Sequence, residues 1–256
     1  MTHNRWVRYL HQNTEAFGTL EGDTVVEHGG HLFGLNAPTG RSFALGEVQL
    51  LMPVQPTKVI ALWNNFGELR AKLNLAHPEE PLYLLKSPNS WSAHGAPIPL
   101  PLGGGKVAFE GELGIVIGKR CSAVTESEAM AFVFGYTCAN DVTVADLLFR
   151  DASFAQWTRA KGLDGFCPIG PVVATGLDPS TLVVKTLVDG QVRQHYPVSD
   201  MTFSVAQLVS RISLDMSLLP GDVILCGTSV GVGSMKPGST VQVEIAGIGT
   251  LSNRFE

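Results

Sequence analysis

Two glutamates one residue apart, Glu110 and Glu112, interrupt an otherwise apolar run, Ala108-Phe-Glu-Gly-Glu-Leu-Gly-Ile-Val-Ile-Gly118. A strand turns every second side chain to the same side, so both carboxylates share one face while Phe109, Leu113, Ile115 and Ile117 line the other. Val116 continues the acidic face, which marks that face as covered rather than freely solvated. Carboxylates taken out of water need a compensating partner, and a cation is the simplest one. Asp141 directly follows the apolar stretch Val133-Phe-Gly-Tyr-Thr-Cys-Ala-Asn140 and offers a third carboxylate at a strand end. Three oxygen donors without an accompanying His or Cys favour a hard ion, Mg2+ or Mn2+, over zinc. On spacing alone, a solvated strand face with an ordinary turn aspartate fits the same residues.

The elements that must position this trio are legible along the chain. With 45% hydrophobic and only 16% charged side chains, 256 residues can bury a large core. The 28 Gly and 15 Pro follow no period, so they mark tight turns between short elements and point to a mainly β, α+β fold rather than a helical bundle. Up to about Leu51, the turn signals Glu21-Gly22-Asp23, Gly29-Gly30 and Pro38-Thr39-Gly40 alternate with short apolar stretches, as in a β-meander. Met52-Pro-Val-Gln-Pro-Thr57 then reads as a linker, dividing a small N-terminal β subdomain at 1–55 from a main domain at 56–256. Asp189-Gly190 between two strand-like runs has the chemistry of a two-residue hairpin turn. Two helices are expected, one opened by the capping box Thr125-Glu-Ser-Glu128. Ser204-Val-Ala-Gln207 opens the other, with apolar residues at Val205, Leu208, Val209, Ile212 and Met216.

Composition also removes several functions. A net charge of −5 without a local Lys/Arg cluster gives no footprint for nucleic acid. Cys121, Cys138, Cys167 and Cys226 lie far apart with no C-x-x-C pair, so neither a zinc site nor a disulfide framework is signalled. The first residues lack the apolar run of a signal peptide, and no segment has the roughly 18 uninterrupted apolar residues of a membrane span. The expectation is a cytoplasmic protein with no membrane partner.

Seven stretches, taken in order, make the sequence similar to the fumarylacetoacetate hydrolase family. They are Leu82-Tyr-Leu-Leu-Lys86, Phe109-Glu-Gly-Glu-Leu-Gly-Ile-Val-Ile-Gly-Lys119, Gly135-Tyr-Thr-Cys-Ala-Asn-Asp141, Gln156-Trp-Thr-Arg-Ala-Lys161, Phe166-Cys-Pro-Ile-Gly170, Pro220-Gly-Asp-Val-Ile-Leu225 and Gly227-Thr-Ser-Val-Gly-Val-Gly233. The resemblance covers residues 58–256. It implies the family's mixed β-sandwich roll, usually a homodimer, with Glu110, Glu112 and Asp141 as ligands of Mg2+ or Mn2+. It further implies Lys161 beside the metal, where a cation stabilises a developing enolate, and Lys86 and Thr228 as groups that grip a substrate carboxylate. Gly227, Gly231 and Gly233 would let backbone amides approach an anion. Gln156 is either a polar contact near the substrate or a helix-surface amide.

Some positions depart from the family's pattern. Hydrolytic members carry N-Y-x-D-H-x-x-E on a short lid helix, whose His and Glu activate water. Here the segment reads Asn65-Phe-Gly-Glu-Leu-Arg-Ala-Lys72, with Leu69 and Lys72 in place of that His and Glu, and Asn64 in place of an arginine frequent just before it. A-R-D-L-Q becomes Val144-Ala-Asp-Leu-Leu148, which loses a Gln. The expected function is therefore metal-dependent enolate chemistry on a small 2-oxo or 2-hydroxy-enoic acid or diacid. Isomerisation or decarboxylation is favoured, as in the members that serve aromatic-acid catabolism, because neither reaction needs an activated water. Glu68, at the lid's Asp position, is the expected proton-transfer group, with His77 and His94 on flanking loops as other bases. The alternatives are a C–C hydrolase of a 2,4-dioxo acid and a catalytically inactive protein that binds a metal and an oxo acid.

Overall fold

Among the described residues, short apolar stretches cut by Gly and Pro turns fold into nineteen strands and five α-helices, so strands dominate, as expected. This computed structural model describes residues 3–256. The largest sheet runs in the order Asn36–Ala44, Thr24–Gly30, Thr14–Glu21, Arg5–His11, Cys167–Ala174, Val133–Asn140, Gly111–Ile117, Val223–Leu225, Val59–Trp63 and Leu82–Lys86. The N-terminal meander continues this sheet, since Arg5 and Trp6 pair with Ala174 and Val173. A four-stranded sheet of Gln191–Pro197, Val183–Val188, Thr240–Ile245 and Gly249–Arg254 packs beside it, and Thr143–Val144, Val107–Phe109 and Gly233–Ser234 form a small third sheet.

The central strands are covered on both faces. Leu113, Ile115 and Ile117 belong to the core that also holds Leu208, Val209 and Ile212 of the helix Val205–Asp215. Val116 belongs to a second core with Val173, Val223 and Leu225. Each such buried aliphatic side chain contributes about 1.5–3 kcal/mol, so this double cover makes the middle of the sheet a rigid support. The long helix starts at its expected capping box, with Ser204 Oγ accepting from Gln207 N and Gln207 Oε1 accepting from Ser204 N. The Thr125 box starts only one α-turn, Glu126–Ala129, which tightens into the 3-10 turn Met130–Phe132 before the next strand begins.

One sequence expectation fails in an informative way. Phe109 does not line the same face as Leu113: it sits in a third core with Ile98, Phe166 and Val188. The strand breaks at Glu110, whose backbone N–H donates to the Asn140 side chain at 2.9 Å instead of continuing a ladder. No helix among the described residues is long and apolar enough to cross a membrane.

Candidate metal centre

The break at Glu110 builds the site. Gly111 lies opposite Asn140 in the antiparallel register, and Asp141 N donates to Glu110 O at 2.9 Å, so Glu110, Glu112 and Asp141 emerge at one end of two neighbouring strands. One carboxylate oxygen from each lies within 4.8 Å of the others, and together they could hold a metal ion. Gly111 must be glycine, since a Cβ there would meet Thr186 Oγ1 at 2.0 Å.

The peptide of Gly111, between the two glutamates, is clamped from the hairpin strand Gln191–Pro197. Gly111 N donates to Gln194 Oε1 at 3.0 Å, while Gly111 O accepts from Tyr196 Oη at 2.6 Å and from Thr228 Oγ1 at 3.0 Å. Gln194 Nε2 donates in turn to Thr228 Oγ1 at 2.8 Å. Gln194 and Tyr196 were not singled out from the sequence. Their signal is an inward-facing amide and phenol on a strand whose alternate residues, Arg193 and His195, are exposed.

Two ammonium groups answer the three carboxylates. Lys161 Nζ donates to Asp141 Oδ2 at 2.7 Å, to Glu110 Oε2 at 2.9 Å and to Thr143 Oγ1 at 2.6 Å. Thr143 Oγ1, another residue the sequence reading missed, also lies 2.8 Å from Glu110 Oε1. Lys86 Nζ is 2.6 Å from Asp141 Oδ1 and donates to Phe166 O at 3.1 Å. Burial alone would raise the Asp141 pKa, but Lys161 and Lys86 hold it below the usual carboxylate value. Burial likewise opposes the charge on Lys161, and Asp141 and Glu110 overcome it, raising the ammonium's pKa.

Glu112 is the odd member. Its side chain is buried, Oε2 accepts from Gly227 N at 2.9 Å, and Oε1 has no hydrogen-bond partner among the described residues. Burial first, then the charges of Asp141 and Glu110, push its pKa well above the ordinary carboxylate value. Three carboxylates facing two ammonium groups leave one negative charge over, which favours holding a proton on Glu112. A divalent cation fits this donor set: it would displace that proton and satisfy the orphaned oxygen.

A pH dependence follows. A carboxyl whose folded pKa is raised stabilises the fold at low pH, and that contribution is lost as pH rises through the folded value. In metal-free protein the contribution of Glu112 should therefore fall as pH rises above the ordinary carboxylate range, and the Tm gain on adding Mg2+ should grow from there toward neutral pH. Glu112→Gln should flatten this growth. Equal Mg2+-induced shifts at both ends of the range in the unmodified chain would refute it.

The other expected site residues fall into different places. Lys86, expected to grip substrate, has a fully buried side chain whose ammonium serves Asp141 as a counter-charge. The Thr228 hydroxyl and the Gly227 amide are engaged in holding Gly111 and Glu112. Gln156 is half-buried, with its Nε2 on Phe154 O at 3.2 Å, and opens the helix Trp157–Lys161. Glu68 is exposed on the lid helix Gly67–Lys72, which is fixed through Glu68 N on Asp200 Oδ2 and through buried Asn65, whose Nδ2 donates to Cys226 O at 2.8 Å. His94 Nδ1 accepts from Ser252 N, and burial lowers its pKa; His77 Nδ1 contacts Pro78 O.

Comparison with known proteins supports the same assignment over nearly the whole chain. Residues 58–256 match the family described as fumarylacetoacetate (FAA) hydrolase C-terminal, and residues 4–53 match the Rv2993c-like N-terminal family. The chain is 41% identical over 248 residues to protein Rv2993c of Mycobacterium tuberculosis, covering 93% of this chain and 92% of that one. A crystal structure of 2-hydroxyhepta-2,4-diene-1,7-dioate isomerase from Mycobacterium marinum is 40% identical and superimposes with a TM-score of 0.90 over 98% of each chain. The bifunctional isomerase/decarboxylase of 4-hydroxyphenylacetate degradation from Salmonella dublin is 37% identical over 200 residues, covering 77% of this chain and 46% of that longer protein. With the fold, the acidic trio and its lysines in the order the motifs require, the chain belongs to the fumarylacetoacetate hydrolase family of enzymes.

Proposed function

We propose that this protein is a Mg2+- or Mn2+-dependent enzyme that takes a small 2-oxo or 2-hydroxy-enoic acid or diacid through an enolate, isomerising or decarboxylating it. The observation that carries this reading is the trio of buried Glu112 and Asp141 with half-buried Glu110, with an orphaned Glu112 oxygen and two ammonium groups against it. A bound divalent ion would supply Lewis-acid attraction for the carboxylate and 2-oxo oxygens of such an acid. Lys161 is the fixed positive charge that favours the substrate's developing negative charge over its neutral ground state. Lys86 and Thr143 keep Asp141 and Glu110 in place for that role. Glu68, the one carboxylate of the lid helix, is assigned the proton transfer. Leu69 and Lys72 offer no His and Glu pair to activate a water, which argues against C–C hydrolysis. The names of the Mycobacterium marinum and Salmonella dublin relatives favour the same class.

Steady-state turnover on 2-oxo diacids and their 2-hydroxy-dienoic forms, beside acylpyruvates, tests this. Activity should vanish with a chelator and return with Mg2+ or Mn2+. Isomerisation or decarboxylation should outrun acylpyruvate cleavage, and Glu68→Gln should slow it by roughly 10²-fold. Efficient acylpyruvate cleavage would replace the reading with a hydrolase, and metal-independent turnover would end it.

A further inference from the structure

Residues four apart lie on one face of a helix, so Trp157 shares with Lys161 the face of the helix Trp157–Lys161 that meets the acidic trio. Its half-buried ring packs on Trp63, with centroids 5.5 Å apart and planes at 53°, and meets Phe149 edge-on at 6.5 Å. Trp63 is the last residue of the strand Val59–Trp63. Two positions later Asn65 binds Cys226 O, whose neighbour Gly227 holds Glu112. The three rings are therefore bracketed by two segments that both lead into the site. Phe149 is 68% exposed, so this apolar wall opens to solvent. Among the chain neighbours of these rings, Leu148 is buried and Asn64 places its amide on Ala76 O. Arg159 is exposed two positions after Trp157, on the other side of the helix, and Arg150 is exposed beyond Phe149.

We infer that Trp63, Trp157 and Phe149 form a subsite for the far end of the substrate, which carries a planar apolar or aromatic substituent in preference to a second carboxylate. This rests on the proposed chelation of an oxo-acid head at the acidic trio. Rings in offset and edge-on contact present both faces and edges to a third planar group, and covering that group removes apolar surface from water on both partners. A distal carboxylate would instead lose hydration against indole rings.

Calorimetric titration of the Mn2+-loaded protein separates these outcomes with three probes: oxalate for the head alone, phenylpyruvate for an apolar extension and 2-oxoglutarate for a charged one. Phenylpyruvate should bind roughly tenfold or more tightly than 2-oxoglutarate, a ranking that needs no variant. Trp63→Ala and Trp157→Leu should each remove most of that advantage and leave oxalate affinity unchanged. Oxalate binding with 2-oxoglutarate equal to or tighter than phenylpyruvate overturns the aromatic subsite alone. So does equal weakening of oxalate and phenylpyruvate in both variants. Absence of oxalate binding in the presence of Mn2+ overturns the chelation reading and this inference with it.

Discussion

Lys161→Met should lower kcat/KM by roughly 10²–10³-fold, the range seen when one preorganised electrostatic stabiliser of a developing oxyanion is lost. The Lys161 ammonium is buried, and its three hydrogens meet Glu110 Oε2, Asp141 Oδ2 and Thr143 Oγ1. Methionine fills similar volume without charge, so packing is retained while the cluster loses one positive charge. Electrostatics then makes a signed statement: three carboxylates with one ammonium attract a divalent cation at least as strongly as before, so Mn2+ affinity should hold or rise while turnover collapses. Removing one partner from a buried pair costs about 3–5 kcal/mol, so the metal-free variant should melt well below the parent and recover on adding Mn2+. Calorimetric Mn2+ binding beside steady-state kinetics gives both readouts. Unchanged kcat/KM would remove Lys161 from the reaction. Turnover and metal affinity falling together would make it only a support for the ligands.

Local chemistry explains what could be seen in advance. The Asp189-Gly190 hairpin was legible because both residues need positive φ, and both adopt it, at 50° and 75°. The helix Val205–Asp215 was legible because its cap and its apolar spacing agree over three turns. The Thr125 cap fixed only a start, since no apolar stripe of helical period follows it. The three carboxylates were legible as a group because Glu110 and Glu112 are close in sequence and Asp141 ends a neighbouring apolar run. The break at Glu110 was not, because it depends on the side chain of Asn140 across the sheet. Long-range partners were hidden for the same reason. Gln194 reaches Gly111 and Lys86 reaches Asp141 only through strand register and sheet order, which no local window contains. Thus Lys86 could be picked out by motif, yet its pairing with Asp141 emerged only from the fold.

That placement gives the second large effect. Asp141→Asn should abolish measurable Mg2+ or Mn2+ binding and lower Tm by roughly 10 °C, corresponding to about 3–5 kcal/mol in a chain of this size. Asn keeps the shape and one carbonyl acceptor but removes the charge shared by two buried ammonium groups. Lys161 retains Glu110 at 2.9 Å, whereas Lys86, with a fully buried side chain, keeps only the Phe166 carbonyl at 3.1 Å. The loss should therefore fall mainly on an uncompensated Lys86, and a second substitution can detect it. Lys86→Met alone should destabilise, because Asp141 loses one of its two cations. Added to Asp141→Asn, it should restore stability, since an apolar side chain of similar length avoids the buried charge altogether. Thermal melts of the two single variants and the double variant close the cycle. A double variant less stable than Asp141→Asn would mean that Lys86 is not held by Asp141, and that the charge balance drawn for the cluster is wrong.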